Sequence, residues 1–154
     1  PGIPDVYQGT EAVTHLLVDP DNRVPPDWAA LAAAAIDERT VADAWADAAG
    51  ETKTILTRTL LELRRRRSES FGVGAAYSPL DLAAGAVGYR RGDDVIVVAR
   101  RGAAEVTGPL EFPAGNWYDV LDPVAPTLSA TVDAASAVGS GDDGTLPIAV
   151  FERE

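Results

Sequence analysis

The chain has no cysteine and no methionine, a single histidine, a single lysine, and no long apolar run. Without cysteine there is no disulfide scaffold, zinc ribbon, iron–sulfur site or cysteine nucleophile. His15 is the only histidine, so a Ser-His-Asp triad has one possible base, and a multi-histidine metal site is impossible. Positive charge is scarce: 13 Lys and Arg face 24 Asp and Glu, for a net charge of −11. A nucleic-acid binder carries the opposite balance, which argues against phosphate-backbone binding. The longest apolar run, Trp28–Ile36, is nine residues, well short of the ~20 that a membrane-spanning helix needs. No charged segment followed by an apolar one opens the chain, so no signal peptide is expected. A chain that begins at Pro1 and lacks methionine reads as processed or cut from something larger.

The 154 residues leave room for one ordinary domain or two small ones. A chain of this size buries roughly two-thirds of its unfolded surface and needs no cross-links to hold a core. Composition shifts near residue 70. From Pro1 to Arg23 the sequence is punctuated by proline and glycine and reads as a long, shaped loop.

Helical signals follow. Pro25-Pro26-Asp27 is a helix start, with Asp27 able to cap, and Trp28, Leu31, Ala32, Ala35 and Ile36 recur at helical spacing. Thr40 opens a second helix with a stripe of Val41, Ala44, Trp45 and Ala48, stopped by Gly50. A third starts near Thr52, with Ile55, Leu56, Thr59, Leu60 and Leu63 on one face. It ends in Arg64–Arg67, which suits the negative end of the helix dipole and reads as a solvated helix end.

After Phe71 the period changes from 3.6 to 2. Val87 and Tyr89, the turn at 91–94, and Val95–Val98 read as a hairpin. Further short strands are expected at Ala104–Thr107, Leu110–Phe112, Trp117–Leu121, Leu128–Val132 and Leu146–Glu152. The expected fold class is α+β: helices over 1–71, then an antiparallel β-sandwich over 72–154.

Spacing alone isolates no catalytic centre. Retaining glycosidase chemistry needs two carboxyls about 5–5.5 Å apart. Asp5, Glu11, Asp19 and Asp21 are available, but nothing in their spacing forces two together, and they read as solvated loop acids. Counted from Asp19, an EF-hand pattern fails: Arg23, Val24 and Ala30 occupy positions that need an oxygen ligand, glycine and glutamate. Gly72-x-Gly74 follows a helix rather than a strand, so it is no dinucleotide fingerprint. Trp117-Tyr118 is a sugar-stacking platform or, on an alternating strand, core filling.

The opening segment is more specific. Pro1-Gly2-Ile3-Pro4-Asp5-Val6-Tyr7-Gln8-Gly9-Thr10-Glu11 resembles the stretch after the last catalytic motif of the α-amylase superfamily. The Tyr-Gln-Gly-Thr-Glu run, with Leu17–Arg23 and Pro25 after it, resembles the maltooligosyl trehalose synthase family, the (1→4)-α-D-glucan 1-α-D-glucosylmutases. Leu60–Arg65 and Leu146–Phe151 match the end of such proteins, while Val24 departs from the Arg-Pro usual after Asp-Asn-Arg.

The resemblance implies a retaining intramolecular transglycosylation, without cofactor or metal. It converts the reducing-end α-1,4 linkage of a maltooligosaccharide to α,α-1,1. It implies a cytoplasmic enzyme acting on maltooligosaccharide or glycogen-derived α-glucan. The helical part would be the end of a TIM barrel, holding the loop after strand eight and the closing helices, with the catalytic acids upstream of Pro1 and the rest of the barrel as partner. Barrel sites are built from such loops, so the resemblance points to Tyr7, Gln8, Asp19, Asp21, Asn22 and Arg23 as substrate-binding residues. The chain alone would be inactive and prone to self-association through uncovered apolar helix faces. The alternatives are a non-catalytic carbohydrate-binding or structural β-domain, and the C-terminal part of another α-amylase-superfamily enzyme.

Overall fold

A computed structural model describes residues 9–13, 25–47 and 50–154. Helices α1 (Trp28–Ala35), α2 (Val41–Ala46), α3 (Thr52–Arg66) and α4 (Ser68–Phe71) come first. The first two start at side-chain caps. Asp27 accepts from the Ala30 N–H, and Thr40 and Asp43 exchange bonds in a capping box.

Strands β1 (Tyr77–Pro79), β2 (Ala86–Arg91), β3 (Val95–Arg100), β4 (Pro109–Leu110), β5 (Trp117–Asp119) and β6 (Val132–Asp133) follow, then the short helix α5 (Ala134–Ala137) and β7 (Ile148–Arg153). One sheet has the order β1-β2-β3-β7-β5, and β4 pairs with β6 in a separate ribbon. All the pairings are antiparallel. Of the expected strands, Ala104–Thr107 is irregular, although Val106 is buried, and Leu128 forms only a bridge to Trp117. In place of the two comparable sheets expected of a sandwich, there is one five-stranded antiparallel sheet and a ribbon of two-residue strands.

The sheet is covered on both sides. Ile96, Val98, Ala149, Phe151 and Trp117 point toward the ribbon and α5, where they pack with Val106, Leu110, Phe112, Ala134 and Val138. Val95 and Val150 point the other way, against Val41 and Ala44 of α2 and Ile55 and Leu63 of α3. Double burial explains why Val95–Val98 and Ile148–Phe151 are continuous apolar runs, where a half-exposed strand would alternate. Trp117 is fully buried and its indole N–H donates to the Pro113 carbonyl at 2.9 Å, so it fills core and offers no sugar platform.

α1 keeps an uncovered apolar face. Only Ala34 is buried, while Trp28 and Ile36 are 53% and 80% exposed. The Trp28, Ala32, Ala35 and Ile36 stripe faces outward.

Candidate functional site

Tyr7, Gln8, Asp19, Asp21, Asn22 and Arg23, the residues the resemblance selects for substrate binding, lie outside the described residues, as does His15. The segments on either side of residues 14–24, which are 9–13 and 25–28, are described and make specific contacts. The Glu11 carboxylate closes its own turn by accepting from the Gly9 N–H at 2.8 Å. A Cβ at Gly9 would lie 2.5 Å from the Pro26 ring, so the two flanks touch and glycine permits the approach.

The 9–13 flank rests on α3, and so does the end of α1. Lys53 Nζ donates to the Thr10 carbonyl at 2.5 Å and to the Ala12 carbonyl at 3.4 Å. The buried Thr54 hydroxyl donates to the Glu11 carbonyl at 3.1 Å. One turn further along, Arg58 Nη1 reaches the carbonyls of Ala35, at 3.0 Å, and Asp37, at the end of α1. Sequence reasoning passed over Lys53, although a signal was present: a cation in the first turn of a helix opposes the helix dipole and needs another reason to be there.

Beside the 9–13 segment lies a groove of about 830 Å³, lined by Val13, Trp45, Lys53, Leu56, Leu146 and Pro147 among others. Its walls are mainly apolar. A second hollow, of about 710 Å³, is lined in part by Asp43, Glu105, Asp119, Asp122 and Asp143. Asp119 is the notable acid there. Burial pushes its carboxyl up to about 6, against the lowering effect of the Leu121 and Val150 N–H groups that its Oδ1 accepts at 2.9 and 3.2 Å. The carboxylate stands in for the next rung of the ladder where β5 leaves β7.

The far end of α3 is fixed as well. Glu152, buried on β7, accepts from Arg66 and Arg67. Burial pushes its carboxyl up, but hydrogen bonds from Arg66, Tyr118 and Arg67 outweigh this and hold it below its ordinary range. Arg67 also donates to the Arg153 carbonyl. The arginine run is therefore not simply a solvated helix end, because two of its four members bind the sheet. Among the described residues, no three His, Cys, Asp or Glu side chains gather as a metal site, and no helix is long and apolar enough to cross a membrane.

No family model matches the chain. Two curated proteins from strains of Mycobacterium tuberculosis, both named as maltooligosyl trehalose synthase, are 40% identical to it over 131 residues, which is 79% of this chain and 16% of theirs. A crystal structure of maltooligosyl trehalose synthase superposes with a TM-score of 0.70 at 30% identity, covering 99% of this chain and 20% of that one. The synthase from Arthrobacter ramosus gives 0.68 at 27% identity, covering 100% of this chain and 20% of that one. The chain thus spans about a sixth of the length of the curated relatives it matches. By sequence and by fold it belongs to the maltooligosyl trehalose synthase family and corresponds to the C-terminal part of those proteins.

Proposed function

We propose that this chain is the C-terminal part of a cytoplasmic enzyme that converts the reducing-end α-1,4 linkage of maltooligosaccharides to α,α-1,1, in the formation of maltooligosyl trehalose. The observation that carries this reading is the match over 99% of the chain to a synthase of which it covers only 20%. In a retaining transfer, one carboxylate attacks the anomeric carbon and an acid protonates the departing oxygen. The anomeric hydroxyl of the released glucose then attacks the glycosyl-enzyme and gives its proton to the conjugate base of that acid, which forms the α,α-1,1 linkage and frees the nucleophile. We assign both carboxyls to the remainder of the polypeptide, a barrel whose closing helices are α1–α4. Several acids described here already have structural duties: Glu11 closes a turn, Asp119 caps a strand end and Glu152 binds arginine.

The opening loop would stand at the rim of the substrate site. Tyr7, Gln8, Asp19, Asp21, Asn22 and Arg23 supply the mixed donors and acceptors that sugar hydroxyls need. The test is direct. The purified 154-residue chain, incubated with maltopentaose, is expected to form no trehalosyl product, and the full-length enzyme carrying it is expected to do so. Turnover by the chain alone would overturn the assignment and move the catalytic acids into it.

A further inference from the structure

Lys53 is the only lysine in the chain, and its placement is unfavourable by local rules. It occupies the first turn of α3, where the exposed N–H groups of the helix repel a cation. Its ammonium is turned onto the carbonyls of Thr10 and Ala12, while the hydroxyl of its neighbour Thr54 takes the carbonyl between them, that of Glu11. Three successive carbonyls of one short segment are thus gripped by two adjacent side chains. The segment follows directly on Tyr7 and Gln8. The helix that grips it is itself immobilised, by Ile55 and Leu63 in the core and by Arg66 and Arg67 on Glu152.

We propose that Lys53 and Thr54 are positioning residues for substrate: α3 is a strut, bolted to the sheet at one end, that fixes the backbone of residues 10–12 at the other. The inference rests on the rim-loop reading proposed above. An anchor of this kind acts by holding recognition groups in place before the sugar arrives, so its loss raises the concentration of substrate needed without altering the chemical step.

The test uses the full-length synthase carrying this chain, with maltopentaose as substrate. Lys53→Met combined with Thr54→Val is expected to raise KM about tenfold at nearly constant kcat, and to speed amide exchange at Gly9 and 11–13 by about tenfold. The melting temperature should stay within about 2 °C. Lys53→Arg, which keeps a cation able to reach both carbonyls, should restore KM. Arg23→Ala serves as the independent probe of the loop itself. If Arg23→Ala lowers kcat/KM tenfold and the double variant leaves KM unchanged, the strut is wrong and the loop reading stands. If neither variant changes the kinetics, the loop reading fails and the strut falls with it. A loss of melting temperature and of kcat together, with KM constant, would show Lys53 and Thr54 to be structural only and would overturn the proposal.

Discussion

Arg66 and Glu152, 86 residues apart in sequence, meet at 2.6 Å between Nη2 and Oε2. The carboxylate is only 1% exposed, whereas the guanidinium is 42% exposed. The two partners therefore pay unequal desolvation, and the glutamate depends on the pair more than the arginine does.

Glu152→Gln should accordingly lower unfolding free energy by about 2 kcal/mol, since it weakens bonds to two arginines and leaves a buried amide among cations. Arg66→Ala should cost less, because Arg67 remains and water reaches the vacated side. Urea denaturation of both variants measures the difference. A Glu152→Gln chain as stable as its parent would show the cluster to be energetically idle.

Asp119 should make stability fall with rising pH over a defined window. Its carboxyl is raised to about 6 by burial, with the nearby Asp122 charge adding to the effect. The folded state therefore holds the proton more tightly than the unfolded chain does. This contribution is fully present below about pH 4 and is lost as pH rises through about 6, on the order of 2–3 kcal/mol in all. Asp37, held at about 2 first by the Arg39 side chain, and Asp143, held at about 2 first by Thr145, act in the opposite sense. Their contribution disappears on acidification below pH 4, outside that window. Asp119→Asn, which keeps an acceptor for the Leu121 and Val150 N–H groups, should flatten the fall between pH 4 and 7. An unchanged slope would place the titration elsewhere.

Gly85→Ala should be far worse than Gly74→Ala. Both residues have positive φ, +96° and +89°. A Cβ at Gly85 would stand 2.3 Å from the Glu105 carbonyl oxygen, whereas at Gly74 it meets nothing within 4 Å. Strain alone should cost about 1 kcal/mol at Gly74, and strain with a backbone clash about 2–4 kcal/mol at Gly85. Thermal melts of the two variants compare them directly, and equal losses would contradict the close approach.

The outward stripe of α1 should make the isolated chain self-associate. Trp28 and Ile36 are its largest members, and an uncovered apolar patch is driven to find a partner. Light scattering at rising concentration should show growth beyond the monomer, abolished by Trp28→Lys with Ile36→Lys. A monomer at every concentration would count against it.

The sequence disclosed α3 well, because Ile55, Leu56, Leu60 and Leu63 repeat at helical spacing and all find the sheet. It disclosed the β2–β3 hairpin for the complementary reason, a turn between two strand-forming runs. The apolar stripe of α1 was equally plain, but periodicity marks which face is apolar and says nothing of whether a partner is at hand. β1 was hidden by its brevity and by Pro79, and α5 by its four residues. The Arg66 and Arg67 contacts were illegible because they depend on a residue more than 80 positions away. For the opening segment, the motif residues were readable as a resemblance; Lys53 left a signal in its place at the start of α3, but its bonds to Thr10 and Ala12 depend on three-dimensional proximity.

β7 lies among the last residues of the sequence yet is flanked on both sides, by β3 and β5. During synthesis, then, β3 must wait some fifty residues for its neighbour, and Arg66 longer still for its carboxylate. Both hydrophobic layers stay open until 148–153 leave the ribosome, since Phe151 belongs to one and Val150 to the other. Closure over so long a span is slow. A chain halted before Ile148 would keep the local β1-β2-β3 pairings and Val95 against α2 and α3, but would lack Val150 in that layer and Phe151 in the other.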